Sequence, residues 1–272
     1  MNLSPPTSLR TTTSSTLGRL VLMPNTLDLG YEPQALEWVL PHAVIQQAAQ
    51  ISHWVVENAK STRAFLKRIQ NIQALCKPLQ ELQIHEIPKP TKGQAQGKNH
   101  PNPSLPAEEL KALLHPLMQG HDVGLLSEAG LPAIADPGSS LVALAHQWGA
   151  KVLPLSGPSS LMLALAASGL HGQAFAFVGY LPQDSEARAA RIRFLEQRSH
   201  IQHETQLVIE TPYRNQALFS AMLQHLTPST QLSVACGLTL PSGWVQTQSI
   251  QQWKKTAVQF EKGLPCVFSF LA

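Results

Sequence analysis

The feature that most constrains this chain is the alternation of short apolar runs with segments of helical periodicity in its first half. The runs Leu20–Met23 and Val123–Leu126 have the composition of buried strands, whereas residues 107–120 and 141–148 carry apolar residues at helical spacing. Strands that alternate with helices of this length form βα units, in which the strands lie parallel. The first half therefore predicts an α/β fold with a mostly parallel sheet.

The second half follows a different order. Strand-like runs at 232–236, 244–249 and 265–271 succeed one another without a long helical segment between them. Neighbouring strands of this kind pair in mixed or antiparallel sheets. We therefore predict two α/β domains, an N-terminal one at 17–156 with a mostly parallel sheet and a C-terminal one at 157–272 with a mixed sheet.

Two segments lack a periodic apolar face. Residues 1–16 are rich in Ser, Thr and Pro, and residues 88–106 are rich in Pro, Lys and Gly. Such compositions are typical of chain that packs against nothing. We predict a flexible tail for the first segment and a long loop for the second.

Composition excludes several classes of site. The chain has a formal net charge of +3, which does not by itself indicate nucleic-acid binding. Its 3 cysteines lie far apart, which favours a reducing, cytoplasmic compartment over a disulfide framework. No apolar run approaches the roughly 20 residues that cross a bilayer. P-loop, GxGxxG, HExxH, GxSxG and CxxC motifs are absent, and the few Asp and scattered His residues predict no metal site.

Two turns of small residues carry the strongest functional signal. Residues 125–138 (LLSEAGLPAIADPG) end one apolar run, and residues 152–160 (VLPLSGPSS) end another before an apolar helix. Open α/β sheets bind ligands at the carboxyl ends of their parallel strands, and glycine lets a ligand approach the backbone. Ser159 or Ser160 can cap that helix, whose free N–H groups attract polar ligand atoms. We expect the two turns to form one crevice.

These motifs resemble the tetrapyrrole-methylase-type S-adenosylmethionine methyltransferases. The nearest branch is the ribosomal RNA small-subunit methyltransferase I group, which methylates a cytidine 2′-hydroxyl of 16S rRNA. SEAGLPAIADPG is similar to that group's SDAGTPxxxDPG, VLPLSGPSS to its VxPLPGPxA, and FVGYLP to its GFLP. Further along, LVIETPYRN is similar to LIFYESxxR, and VACGLTL to LARELTK. The resemblance is strongest over residues 120–240.

The resemblance implies two α/β domains with S-adenosyl-L-methionine in the cleft between them, a ribosomal RNA or ribosomal-subunit substrate, no membrane, and a homodimer. It also assigns residues to the cofactor-binding loops and strand ends. Those residues are Pro24, Glu128, Ala129, Leu131, Ser159, Ser160, Thr211, Cys236, Gly237 and Pro265.

The chain departs from the group's pattern in its N-terminal half. Its first loop reads PNTLDLG where the group has PTPIGNL, ENAK replaces EDTR, and the 88–106 segment replaces LHDHN. Three functions therefore stay open: an RNA ribose methyltransferase, a methyltransferase for a tetrapyrrole-like small molecule, and a cofactor-binding protein without catalysis. The GxGPGD loop typical of the tetrapyrrole branch is missing, which counts against the second.

A hydroxyl acceptor loses a proton on methylation, so a base within reach would speed the reaction. Glu57, Glu128 and Glu210 stand at predicted strand ends and are candidates, and the sequence does not choose among them.

An RNA substrate would also need phosphate contacts. Arg188, Arg191 and Arg198 fall near one face of a predicted helix that begins after Asp184 and also carries Arg193, and Arg214 follows later. The competing hypothesis is a solvated helix on which Glu186 and Glu196 pair with these arginines.

Overall fold

The computed structural model describes residues 17–30, 33–88 and 106–272. The predicted tail at 1–16 and nearly all of the predicted loop at 88–106 lie outside the described residues.

The first sheet is parallel, as predicted. Its strands are β1 (Leu20–Met23), β2 (His53–Val56), β3 (Gln83–Glu86), β4 (Val123–Leu126) and β5 (Val152–Pro154). They lie in the order β3-β2-β4-β1-β5, and every pair is parallel. The helices between them are α1 (His42–Ala49), α2 (Ala59–Gln70), α3 (Ala107–Met118) and α4 (Ser139–Gln147).

Helices cover both faces of this sheet. Successive strand residues point to opposite sides and therefore pack against different helices. Trp54 and Leu126 share one core cluster with α1 and α2, whereas Val55 and Leu125 share another with α3 and α4. Gly124 lies opposite Trp54 on the neighbouring strand, where a Cβ would come within 2.7 Å of the indole ring. The apolar runs are therefore continuous because both of their faces are buried.

The second sheet is mixed. Its strands are β6 (Phe175–Phe177), β7 (Thr205–Glu210), β8 (Gln231–Cys236), β9 (Trp244–Ser249) and β10 (Cys266–Leu271). Their order is β6-β7-β10-β8-β9; β6 and β7 are parallel, and the other pairs are antiparallel. The accompanying helices are α5 (Ser160–Ser168), α6 (Ser185–Gln202), α7 (Asn215–His225) and α8 (Ile250–Trp253).

These helices are divided unequally between the two faces. Residues of α6, α7 and α8 share the larger core cluster with one face of the sheet, and α5 packs on the other face. The α/β fold class with one parallel and one mixed sheet is thus confirmed, and the domain boundary at residue 156 stays a prediction. No helix within the described residues is both long and apolar enough to span a membrane.

Helix ends are where the structure differs from the sequence prediction. Periodicity predicts a helix at 62–75, but α2 begins at Ala59 because the Asn58 side chain caps it by accepting from the N–H groups of Lys60 and Ser61. At Asp184, the predicted start of the next long helix, the carboxylate accepts from the N–H of Ala187, so α6 begins as expected.

Candidate functional site

One cleft is lined by both of the predicted turns. Ala129, Gly130 and Leu131 contribute from the turn after β4, and Ser159 and Ser160 contribute from the start of α5. The strand β1 lies between β4 and β5, so the two turns meet across its carboxyl end. The structure therefore confirms that the two turns form one crevice.

Asn25 fastens the end of β1 to the turn after β4. Its backbone N–H donates to the Gly130 carbonyl at 2.9 Å, and its side-chain amide donates to the carbonyls of Ser127 and Glu128, both at 3.0 Å. The Asn25 side-chain oxygen accepts from the N–H of Thr26 at 2.8 Å. Asn25 is buried, so these hydrogen bonds to the turn are shielded from water.

The second turn sits against the same strand end through a glycine. A Cβ placed on Gly157 would lie 2.2 Å from the Cβ of Pro24, which leaves no space for a side chain. In the first turn, Gly130 has a φ of +68°, a conformation that favours glycine. Each turn thus needs its glycine for a different reason, close packing in one and backbone geometry in the other.

The start of α5 differs from the capping expected for it. Ser159 occupies the N-cap position, but its side chain makes no capping hydrogen bond. The expectation that Ser159 or Ser160 caps the helix is therefore wrong. Because the first N–H groups of a helix have no partner within it, this end retains donors beside the cleft.

The opposite wall of the cleft comes from the second sheet. Glu210 at the end of β7, Ala235 in β8 and Pro265 before β10 line it, together with Tyr180 after β6. Both sheets therefore contribute to the cleft, as the resemblance implied.

A carboxylate from the first turn also faces the cleft. Asp136 lines it, and burial raises the pKa of Asp136 to about 7, with a further rise from the negative charges of Glu57 and Glu128 and an opposing effect of a hydrogen bond from Ser127. Asp136 therefore exchanges its proton near neutral pH.

Two other acidic side chains near the cleft, Glu57 and Glu210, accept hydrogen bonds from protein groups. Glu57 accepts from the backbone N–H of Glu128 at 3.0 Å. Glu210 accepts from the Arg214 guanidinium at 2.6 Å and from the Thr211 N–H at 2.7 Å.

Tyr180 is the titratable neighbour of these acids. The pKa of its phenol is raised by burial and by the negative charges of Asp136, Glu210 and Glu57, whereas the charge of Arg214 lowers it. Tyr180 consequently stays protonated and can donate a hydrogen bond within the cleft.

The structure brings together half of the residues that the resemblance assigns to the cofactor. Ala129, Leu131, Ser159, Ser160 and Pro265 line the cleft.

The other five lie beside the cleft and not in its lining. Pro24 packs on Gly157, Glu128 is exposed, and Thr211 binds Glu210. Cys236 is buried in the larger core cluster of the second sheet, and Gly237 packs against Leu264. Whether any of these ten residues contacts a cofactor stays a prediction.

Several lining residues do not stand out in the sequence. Among them are Leu27, Ile134, Asp136, Tyr180, Ile209, Ala235, Cys266 and Val267. Strand alternation offers one signal that could have identified Ala235. Ala235 and Cys236 must point to opposite faces of β8, so only one of these two side chains can face the cleft. Asp136 and Tyr180 lie inside motifs that the sequence does mark, but no spacing rule separates them from their neighbours.

The arginines of α6 differ in their contacts, because one is paired with an acid and another packs against an aromatic ring. Arg198 pairs with Glu204 at 2.7 Å, and the Arg191 guanidinium lies 5.1 Å from the centre of the Phe194 ring. Glu196, a candidate partner for these arginines, instead accepts from the N–H of Thr227 at 2.7 Å.

Arg214 is bound to Glu210 at the cleft. On α6 itself, Arg198 is paired with Glu204, so the arginine face that helical spacing predicts is only partly available for phosphate contacts.

Comparison with known proteins bears on this cleft. No family model matches the chain. It is 36% identical over 132 residues to the ribosomal RNA small subunit methyltransferase I of Vibrio cholerae, covering 48% of this chain and 44% of that protein. The protein of the same name from Pasteurella multocida is 40% identical over 109 residues, covering 38% and 39% respectively. The matched region thus spans less than half the length of these relatives.

Solved structures resemble nearly the whole chain. The methyltransferase CobJ superposes with a TM-score of 0.56 at 14% identity, covering 93% of each chain. The chain has the tetrapyrrole methylase fold. Uroporphyrin-III-C-methyltransferase from Thermus thermophilus matches it with a TM-score of 0.50, also at 14% identity, covering 93% of this chain and 92% of that one. The resemblance drawn from the sequence motifs is confirmed by both comparisons. In this chain, the cleft lies where the two sheets meet.

Proposed function

We propose that the chain is an S-adenosylmethionine-dependent methyltransferase that acts on a ribose 2′-hydroxyl of ribosomal RNA. The observation that carries the proposal is the single cleft formed by the two turns and the edge of the second sheet. The similarity to proteins named ribosomal RNA small subunit methyltransferase I supports the choice of substrate.

The chemistry of the cleft fits this cofactor. Small residues such as Gly130 and Ala235 leave backbone accessible, and apolar side chains such as Ile134 offer contacts to a flat base. When bound, S-adenosylmethionine supplies an activated methyl group, so the protein mainly has to position the acceptor.

Cofactor binding can be tested with a variant that fills the cleft. Ser160 is the first residue of α5 and lines the cleft, so Ser160→Trp should abolish the heat of binding in a calorimetric titration with S-adenosylmethionine. Ser185 is the first residue of α6 and is exposed, so Ser185→Trp should bind as the unmodified protein does. An absence of heat from the unmodified protein at millimolar cofactor would refute the proposal.

The acceptor can be tested on ribosomal RNA from a strain that lacks the protein. We expect one 2′-O-methyl site to be missing there and to be restored by the purified protein with cofactor. Methylation of a tetrapyrrole-like molecule without any RNA site would favour the second candidate, and cofactor binding without transfer to either would favour a binding protein.

The arginines of α6 provide a separate test of RNA contact. Arg191→Glu should weaken RNA binding and reduce its dependence on salt, because a phosphate contact releases counterions. Arg63 is exposed on α2, so Arg63→Glu makes the same charge change on another surface and should have a smaller effect. Equal effects of the two substitutions would remove α6 from the interface.

The proposal extends to a homodimer in the cytoplasm. All three cysteines are free thiols, which suits a reducing compartment. The dimer rests on the family resemblance alone, and light scattering of the purified protein would test it directly.

A further inference from the structure

We propose that Asp136 is the catalytic residue that receives the proton of the acceptor hydroxyl. This inference rests on the proposed function. It names the general base that a hydroxyl acceptor requires, which the sequence does not identify. It starts from where the Asp136 carboxylate lies and from what the neighbouring acids are doing.

The backbone around Asp136 is held in an uncommon conformation. Ala133 and Ala135 have φ angles of +65° and +66°, in the left-handed region that alanine rarely adopts. Such conformations persist only where the surrounding structure imposes them, and they cluster at functional sites. Here they place Asp136 on the lining of the cleft, three residues before the first residue of α4.

The competing carboxylates are less suited to the role. Glu57 is held by the backbone N–H of Glu128, and Glu210 is held by Arg214 and Thr211. Glu128 is exposed and does not contribute to the lining. Within the described part of the chain, Asp136 is therefore the acid that lines the cleft without a basic partner.

The electrostatic surroundings suit proton transfer. Asp136 faces Ser127 and Glu128 from the turn after β4, Glu57 from the end of β2, and Tyr180 from the segment after β6. Burial and the two glutamates bring the pKa of Asp136 to about 7, and a general base is most effective when its pKa lies near the working pH.

The proton balance needs no further reagent. As the acceptor oxygen forms its bond to the methyl carbon, the donor's carbon–sulfur bond breaks, and its electron pair stays on sulfur. The acceptor's O–H proton passes to a carboxylate oxygen of Asp136. The positive charge of the donor and the negative charge of the carboxylate disappear together, and the proton later leaves to solvent.

Asp136→Asn keeps the shape of the side chain and removes its basicity. Single-turnover transfer to RNA should fall by about 10²–10⁴-fold. Its rise with pH through neutrality, expected for the unmodified protein, should vanish. Calorimetric affinity for S-adenosylmethionine should change by less than about tenfold, because the proposed role concerns the acceptor. Asp136→Glu should restore part of the rate, and Glu108→Gln, which alters an exposed acid on α3, should leave both measurements unchanged.

A readout independent of turnover is the titration of Asp136 itself. The carbonyl-region NMR signal of the labelled side chain should titrate near neutral pH in the unmodified protein without cofactor. A transfer rate and pH profile that survive in Asp136→Asn would overturn the inference and leave the proposed function standing, as would a side-chain titration near pH 4. Failure of the unmodified protein to bind cofactor or methylate RNA would overturn both.

Discussion

At the scale of single residues, the cleft contains a carboxylate that is unfavourable for folding. The pKa of Asp136 is raised in the folded state, so between about pH 4 and pH 7 the unfolded chain releases a proton that the folded protein keeps. Stability at this site is therefore greatest below pH 4 and is lost as pH rises to about 7. Carboxyl groups with pKa values perturbed in this way cluster at functional sites.

Asp136→Asn should stabilise the protein above neutral pH. At pH 8 it removes a partly buried charge, so we expect an increase of about 1 kcal/mol in the free energy of unfolding, allowing for solvent access, or about 2 °C in Tm. Near pH 4 the two proteins should melt together. Calorimetric melting curves at both pH values provide the measurement, and a lower Tm for the variant at pH 8 would contradict the argument.

Asn25, in contrast, stabilises the fold, because its side chain is buried and both its amide nitrogen and its oxygen are hydrogen-bonded. Asn25→Ala leaves the carbonyls of Ser127 and Glu128 without this donor, so the free energy of unfolding should fall by about 2 kcal/mol. Cofactor affinity should fall as well, because the turn after β4 loses two of the hydrogen bonds that hold it in place. Urea unfolding and calorimetry measure the two effects. Asn71→Ala, at the exposed end of α2, is the matched control and should change neither.

Sequence reasoning reaches the segments that carry these residues but not their roles. The motif at 125–138 stands out for its small residues, and Asp136 lies within it. Its importance comes from burial and from the approach of Glu57, which is distant in the chain. Neither property can be inferred from the local sequence.

At the scale of elements, the strand-to-helix turn before α5 depends on the absence of one side chain. Gly157→Ala should force the turn and the end of β1 apart, because the new Cβ would lie 2.2 Å from that of Pro24. We expect a loss of about 1–3 kcal/mol in unfolding experiments. A Cβ added to Gly172 would meet no neighbouring atom within 4 Å, so Gly172→Ala should be close to neutral. Equal effects of the two substitutions would show that Pro24 and Gly157 do not pack as described.

Elements with strong patterns are predictable to within a few residues. The strands Leu20–Met23, Val123–Leu126 and Trp244–Ser249 have the bounds expected from their apolar runs. The short helix α8 escapes prediction, because its signal is a capping box of Ser249 and Gln252 and not an apolar period. Periodicity predicts helix interiors better than it predicts helix ends that are set by side-chain caps, such as the start of α2.

At the scale of the whole molecule, folding determines which thiols can react. Cys236 and Cys266 lie opposite each other on β8 and β10 and are buried, whereas Cys76 is exposed. The pKa of Cys266 is raised by a hydrogen bond with Cys236 and by burial, which further suppresses its thiolate. A thiol reagent should therefore modify one cysteine rapidly in the native protein and all three in denaturant. Cys76→Ser should remove the rapid reaction, and a rapid reaction that persists would mean that the buried pair is accessible.

The sheet classes could be predicted from the sequence, but the strand orders could not. Alternation of strands and helices indicates a parallel sheet, yet the position of β1 between β4 and β5 depends on crossovers that leave no local trace. That arrangement is what brings the two turns together. The motifs therefore predict that the two turns meet in one cleft. The residues of β7, β8 and β10 that form its second wall can be identified only from the packing of the second sheet.

The placement of the tryptophans gives each sheet its own optical reporter. Trp54 is fully buried in a core cluster of the first sheet, and Trp253 is fully buried in the core of the second. The chain has 5 tryptophans, so a protein in which Trp54 or Trp253 is the sole remaining one, with the others replaced by Phe, would report by fluorescence on the loosening of one sheet at a time. Coincident traces would mean that the sheets unfold as a single cooperative unit, and separated traces would mean that each can lose its structure while the other persists.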